Sequence, residues 1–202
     1  MAGWDMHSGI ALALAEDNID TDQLIPARFM SVPRSAGYAP YLMHDLRFDS
    51  DGAEMPDMPL NRFPDATVLI TRRNFGSGSS REAAVYALVD FGIQAVIAPS
   101  FGDIFAGNAI NNGLLPAVLP EEVVETLITQ LGATTQSARI DLRNQRLQIG
   151  PTACDFELGP IPLQKLINGW DDIDMTASYK NQIDAFSRHR KRDHHWMWPT
   201  QG

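Results

Sequence analysis

The chain has 202 residues, 44% hydrophobic and 20% charged, with 16 Lys and Arg against 25 Asp and Glu, a net charge of −9. That length fits one domain able to bury about 70% of its unfolded surface without staples. The acidic balance excludes a general nucleic-acid binder, whose phosphate contacts need a basic surface. A single cysteine, Cys154, can neither form an internal disulfide nor hold a zinc or iron–sulfur site alone, so no metal is expected on this chain and a reducing, cytoplasmic setting is.

The first apolar run, at 10–15, has no positive flank and is too short for a signal h-region or a membrane span. No membrane partner is expected. Between 29 and 64 five prolines and two glycines interrupt regular structure. This stretch reads as a long ordered loop, over 28–65, with short pieces of helix or strand, and loops of that length are more often functional than not.

From 66 onward the pattern is regular. TVLIT at 67–71 is a β-branched buried strand. A Gly/Ser loop follows, then a helix over 80–91 with Ala84, Ala87, Leu88 and Phe91 on one face and Gly92 past its end. QAVIA at 94–98 is a second strand, so the unit is β–loop–α–β with a parallel pair. Helix 100–112, strand 114–119 and helix 121–131 come next. Ile140, Leu142, Leu147 and Ile149 alternate around an RNQR turn and predict a β-hairpin. Helical pieces at 163–167 and 179–186 close a single domain, 1–187. The remaining segment, 188–202, holds Arg188, Arg190, Lys191 and Arg192 against Asp193, a balance of +3 that leaves −12 for the rest. It reads as a basic, flexible tail.

Three segments carry chemistry. In RNFGSGSSRE at 73–82, Ser79 and Glu82 have capping-box spacing, which predicts a helix start at Ser79. Gly76 and Gly78 let a ligand approach the backbone closely. Bare amides at a helix N-terminus attract an anion, and the Arg81 fork matches a carboxylate or phosphate. The loop lacks the G-K-[ST] of a Walker A motif and the third glycine of G-x-G-x-x-G. In DNIDTDQLIP at 17–26, Asp20 and Asp22 flank Thr21 and could ligate a metal, hold a basic residue, or form an Asx-type turn before a strand. In SFGDIFAGNAINNG at 100–113, Ser100 and Asp103 are expected to cap a helix that Asn112 and Gly113 end.

Taken together, DNIDTDQLIPARF at 17–29, RNFGSGSSRE at 73–82, VIAPSFGDIFAGNAINNGLLP at 96–116 and NGWDDIDMT at 168–176 resemble the small subunits of 3-isopropylmalate dehydratase, in the aconitase superfamily. The resemblance spans about 8–187. It implies an α/β fold, the swivelling β/β/α three-layer domain found at the aconitase C-terminus. It implies a heteromeric hydro-lyase of leucine biosynthesis, active only beside a large subunit that carries a [4Fe–4S] cluster, and acting on a small di- or tricarboxylate. It makes Ser79 the general base, with Asp20 and Asp22 orienting catalytic groups. Ser80 and Arg81 bind the substrate carboxylate, supported by Ser77, Gly78 and Thr21. The loop after Pro26, with Arg28 and Arg34, selects the substrate side group. Two positions depart from the family pattern: Ala83 stands where His is usual, and Ser77 where isopropylmalate enzymes often carry Cys. The substrate therefore stays open between isopropylmalate and the acids of related hydratases (citraconate, dimethylmaleate or homoaconitate). A non-catalytic anion- or partner-binding module of the same fold is the remaining alternative.

Overall fold

The computed structural model describes residues 2–78 and 81–198. The apolar run at 10–15 lies in a strand that sequence patterning did not identify, β1 (Met6–Leu14). Strands β2 (Val68–Thr71), β3 (Ala95–Ala98) and β4 (Leu115–Val118) stack beside it in parallel. On its other side lie β5 (Thr135–Asp141), β6 (Arg146–Ile149) and β7 (Thr152–Asp155), all antiparallel. The result is one seven-stranded sheet in the order β4-β3-β2-β1-β5-β6-β7.

β1 is the seam. Its last residues pair with β2, Ala11 with Val68 through Leu14 with Thr71, while Met6–Leu12 pair with β5. The parallel strands are buried on both faces, which is why they read as unbroken apolar runs. Leu12, Leu14, Leu69 and Val96 enter one core, and Ala11, Ala13, Val68, Ile70, Ala95 and Ile97 the other.

A very short helix, α1 (Thr21–Leu24), precedes the proline-rich stretch, which two more, α2 (His44–Arg47) and α3 (Pro59–Arg62), punctuate together with 3-10 turns. Longer ones alternate with the strands: α4 (Glu82–Phe91), α5 (Asp103–Asn111) and α6 (Glu121–Leu131). Ala84 and Leu88 of α4 share the first core with Leu42, Leu60 and Met43 from the long loop. Val124, Leu127 and Leu131 of α6 share the second with Ala138, Ile140, Leu147 and Ile149 of the antiparallel strands. The α/β class and the parallel β–loop–α–β unit agree with expectation. The hairpin gains β7, whose half-exposed TACD carries no periodic signal.

The chain closes with α7 (Pro160–Asn168), α8 (Asp172–Ser178) and α9 (Lys180–Asp193). Helix α9 runs seven residues past the expected stop at 186 and takes the first part of the basic segment with it. None of its residues is buried.

Candidate functional site

Three chain segments leave β1, β2 and β3 at their carboxyl ends and zip together there. Asn18 N donates to Arg73 O at 2.9 Å, Gly76 N to Ile19 O at 2.7 Å, and Thr21 N to Ser77 O at 2.9 Å. Phe75 N donates to Ser100 O at 3.1 Å and Gly102 N to Phe75 O at 2.9 Å. The 17–29, 73–82 and 96–116 segments thus form one backbone-bonded rim beyond the strand ends, the usual place for a ligand in an open α/β sheet.

Phe75 anchors the rim. It is fully buried and meets Phe105 edge-on at 5.3 Å between ring centroids, with Phe101 beside both. These aromatics escaped sequence reasoning, although three Phe residues in two glycine-containing segments, 73–82 and 100–113, were the available signal. Glycines make room for them. Gly76 has φ +70°, and a Cβ there would lie 2.2 Å from Phe105 Cγ; one on Gly102 would lie 2.5 Å from Gly76 O. Ser100 does not cap α5. Its Oγ accepts from Asn74 N at 2.9 Å, and Gly102 is the N-cap. The expected Asn112–Gly113 stop is present, with Gly113 at φ +77°.

Asp20 and Asp22 do not introduce a strand. Asp20 caps α1, its Oδ1 accepting from Gln23 N at 2.7 Å while Gln23 Oε1 accepts from Asp20 N at 2.9 Å. Asp22 holds a basic residue, as one of the three sequence readings allowed: its carboxylate is ion-paired with Arg81. Thr21 is buried between them and uses its backbone N–H on Ser77. Gly78, at φ +93°, approaches Asp20 and Thr21 closely enough that a Cβ would touch both. The structure therefore gathers Asp20, Thr21, Asp22, Ser77, Gly78 and Arg81.

Helix α4 begins at Glu82 with Arg81 as N-cap and no side-chain cap. The helix thus starts three residues later than the expected start at Ser79, with Glu82 at the first helical position. Glu82 instead accepts from Asn112 Nδ2 at 2.9 Å, which ties the start of α4 to the end of α5. Ser79 and Ser80, between Gly78 and Arg81 in the chain, lie outside the described residues. Ala83, the departure from the family pattern, is buried in the first core. Arg28 is paired with Asp45 instead, both more than half exposed; that contact holds the Asp45 carboxyl down at about 2. Arg34 forks onto Asp90 of α4 at 2.5 and 2.8 Å and lies over the Tyr86 ring.

The described residues contain no group of three or more His, Cys, Asp or Glu side chains placed to hold a metal. Cys154 sits half-buried on the edge strand β7, with its thiol pKa raised by burial. One cysteine alone does not supply the thiolates an iron–sulfur cluster needs. No helix among the described residues is long and apolar enough to cross a membrane.

Three loops joined beyond the carboxyl ends of the parallel strands, with Arg81 and the start of α4 beside them, define an α/β domain with its candidate site at the strand ends. Residues 1–122 match the aconitase C-terminal domain family. The chain is 42% identical over 200 residues to the 3-isopropylmalate dehydratase small subunit of Rhodospirillum centenum, covering 97% of this chain and 98% of that one. It is 44% identical over 188 residues to the one from Limosilactobacillus fermentum, covering 92% and 96%. The crystal structure of 3-isopropylmalate dehydratase from Methanocaldococcus jannaschii superposes with a TM-score of 0.63 at 26% identity, over 89% of this chain and 98% of that one. The chain belongs to the 3-isopropylmalate dehydratase small-subunit family, with the aconitase C-terminal fold.

Proposed function

We propose that this chain is the small subunit of a hydro-lyase that interconverts 2-isopropylmalate and 3-isopropylmalate by dehydration and rehydration, in leucine biosynthesis. The observation that carries the reading is the meeting of three motif segments beyond the carboxyl ends of the parallel strands, in a chain 42% identical to a protein of that name along almost its whole length. A large subunit completes the enzyme and would carry the [4Fe–4S] cluster, a reading supported by the small-subunit names of the relatives and by the single cysteine of this sequence.

This chain supplies the proton-handling side. Ser79 Oγ takes the proton from the carbon next to a substrate carboxylate and returns it in the reverse direction. A serine alkoxide is strongly basic, so it needs a positive field in a dry site. The N-terminus of the ten-residue α4 and the Arg81 guanidinium supply that field. Arg81 and Ser80 bind the carboxylate, and the Arg81 fork is paired with Asp22. Asp20 and Thr21 keep the 73–78 loop in register beside α1. The hydroxyl leaves toward the large subunit.

The test mixes this chain with a cluster-bearing large subunit and a panel of 2-hydroxy and unsaturated diacids. Either chain alone should be inactive, and the mixture should act on isopropylmalate ahead of citraconate, dimethylmaleate and homoaconitate. Preference for one of the other acids would reassign the substrate. A mixture active on none would leave a binding module.

A further inference from the structure

The segment NGWDDIDMT, at 168–176, lies outside the three segments that form the rim, yet its carboxylates are all engaged. Asp171 caps α8, its Oδ1 accepting from Ile173 N and Asp174 N at 2.8 Å each. That cap fixes the next residue, Asp172, at the first helical position. The Asp172 carboxylate is ion-paired with Lys165 of α7 and accepts from Asn111 Nδ2 at 3.1 Å. Lys165 is buried, at 8% exposed, and its Nζ also donates to Asn111 Oδ1 at 2.9 Å. A buried ammonium is tolerated when it is paired in this way. Both ends of the Asn111 amide are thereby held, and with them the last turn of α5.

Asn112, the next residue, is the C-cap of α5. Its Nδ2 donates to Glu82 Oε1 and to Asn108 O, both at 2.9 Å. Glu82 opens α4 and directly follows Arg81, whose guanidinium is paired with Asp22 of α1. Arg81 is the N-cap of α4 but makes no side-chain bond to it, so its own side chain does not fix where the helix starts. The loop before α4 is tied to the 17–29 segment through Gly76 and Ser77. The Glu82–Asn112 bond ties its other end to α5.

We propose that Asn112 is a positioning residue for substrate binding: braced by Asn111, Lys165 and Asp172, it holds Glu82 and so sets where Arg81 meets a carboxylate. The 168–176 segment serves the site through this relay without touching substrate. An arginine set in place beforehand loses less freedom on binding than a loose one, so the relay acts on affinity. The inference rests on the carboxylate-binding role proposed above for Arg81.

Two measurements test the relay: steady-state kinetics of the reconstituted enzyme and amide hydrogen exchange of the free chain. Asn112→Asp removes the donor and sets a second carboxylate against Glu82. KM should rise about fivefold or more, with kcat within about twofold of wild type. Exchange over 81–84 should quicken in the same variant. Adding Glu82→Gln reverses the bond, because its amide donates to the new carboxylate, and should return KM and exchange most of the way. Asp172→Asn, which removes the charge and one acceptor oxygen opposite Lys165 and Asn111, should raise KM in the same direction by less. A wild-type KM in Asn112→Asp overturns the proposal, as does a double variant no better than the single one, or a fall in kcat alone. A variant that merely melts earlier, with KM unchanged, makes the bond a structural one and overturns it too. A wild-type mixture that turns over none of the diacids is instead the failure of the proposed function, and exchange over 81–84 then still reads whether Asn112 sets the start of α4.

Discussion

Asn18 and Asn74 face each other across the junction of the first two loops, both in the left-handed backbone region, at φ +56° and +61°, with Asn74 Nδ2 donating to Asn18 Oδ1 at 2.9 Å. Asparagine tolerates this backbone where most residues are strained by roughly 1–2 kcal/mol. Asn74 also sits directly before Phe75 and Gly76, so its backbone sets where the glycine-rich loop departs from β2. Asn74→Ala removes the bond and keeps the strain. Asn74→Gly removes the bond and relieves the strain. Urea denaturation should show the alanine variant losing about 2 kcal/mol and the glycine variant about 1 kcal/mol. Equal losses would mean the backbone conformation contributes nothing.

Arg81 and Asp22 make the next prediction. The Arg81 side chain is mostly buried, at 22% exposed, and is paired with the more exposed Asp22, at 57%. Arg81→Lys replaces a planar fork with a point charge. In the reconstituted complex KM should rise about tenfold or more. Asp22→Asn should raise KM less, in the same direction, because the fork stays and only its orientation is lost. Unchanged kinetics in both variants would remove Arg81 from the substrate site.

Gly76 is required by its neighbours rather than by loop flexibility. A Cβ would fall against Phe105 Cγ, Cδ2 and Cβ at 2.2 to 2.7 Å, and the φ of +70° disfavours any side chain. Gly76→Ala should cost about 2–3 kcal/mol by overpacking and strain. Adding Phe105→Ala makes space but opens a cavity. The double variant should therefore be more stable than the sum of the single losses allows. Simple additivity in thermal or urea unfolding would show that the two residues do not touch.

His7 gives stability a pH dependence. Its ring bonds Thr67 Oγ1 at 2.7 Å, and partial burial lowers its pKa from 6.5. The folded state therefore holds fewer protons than the unfolded one just below that value. Its stabilising effect is complete above pH 6.5 and is lost as the pH falls through the lowered folded value. His7→Gln should flatten the stability curve between neutral and mildly acidic pH. A wild-type curve already flat there would contradict the assignment.

How much of this was legible depended on where each residue's partner lies. The runs at 67–71 and 94–98 announce strands, because a strand buried on both faces has no polar positions to confuse the pattern. β1 does not, since its first five residues alternate between exposed and half-buried and its pairing partner β5 lies more than a hundred residues on. Short α8 buries only Met175 and offers no period to detect. In the site, residue types were readable and local geometry was not. The Ser79–Glu82 spacing predicted a helix start at Ser79, but α4 starts at Glu82, whose carboxylate accepts from Asn112, thirty residues away. The Asp20 cap on α1 and the Asp22 grip on Arg81 are likewise choices among readings the sequence left open.

The most direct test of the central claim is the turnover of a Ser79→Ala chain reconstituted with a cluster-bearing large subunit on isopropylmalate. Loss of a positioned general base should lower kcat by about 10² to 10⁴ with KM little changed and the subunits still associated. Full turnover by the Ser79→Ala complex would contradict the assignment of this chain as the proton-handling half of the enzyme.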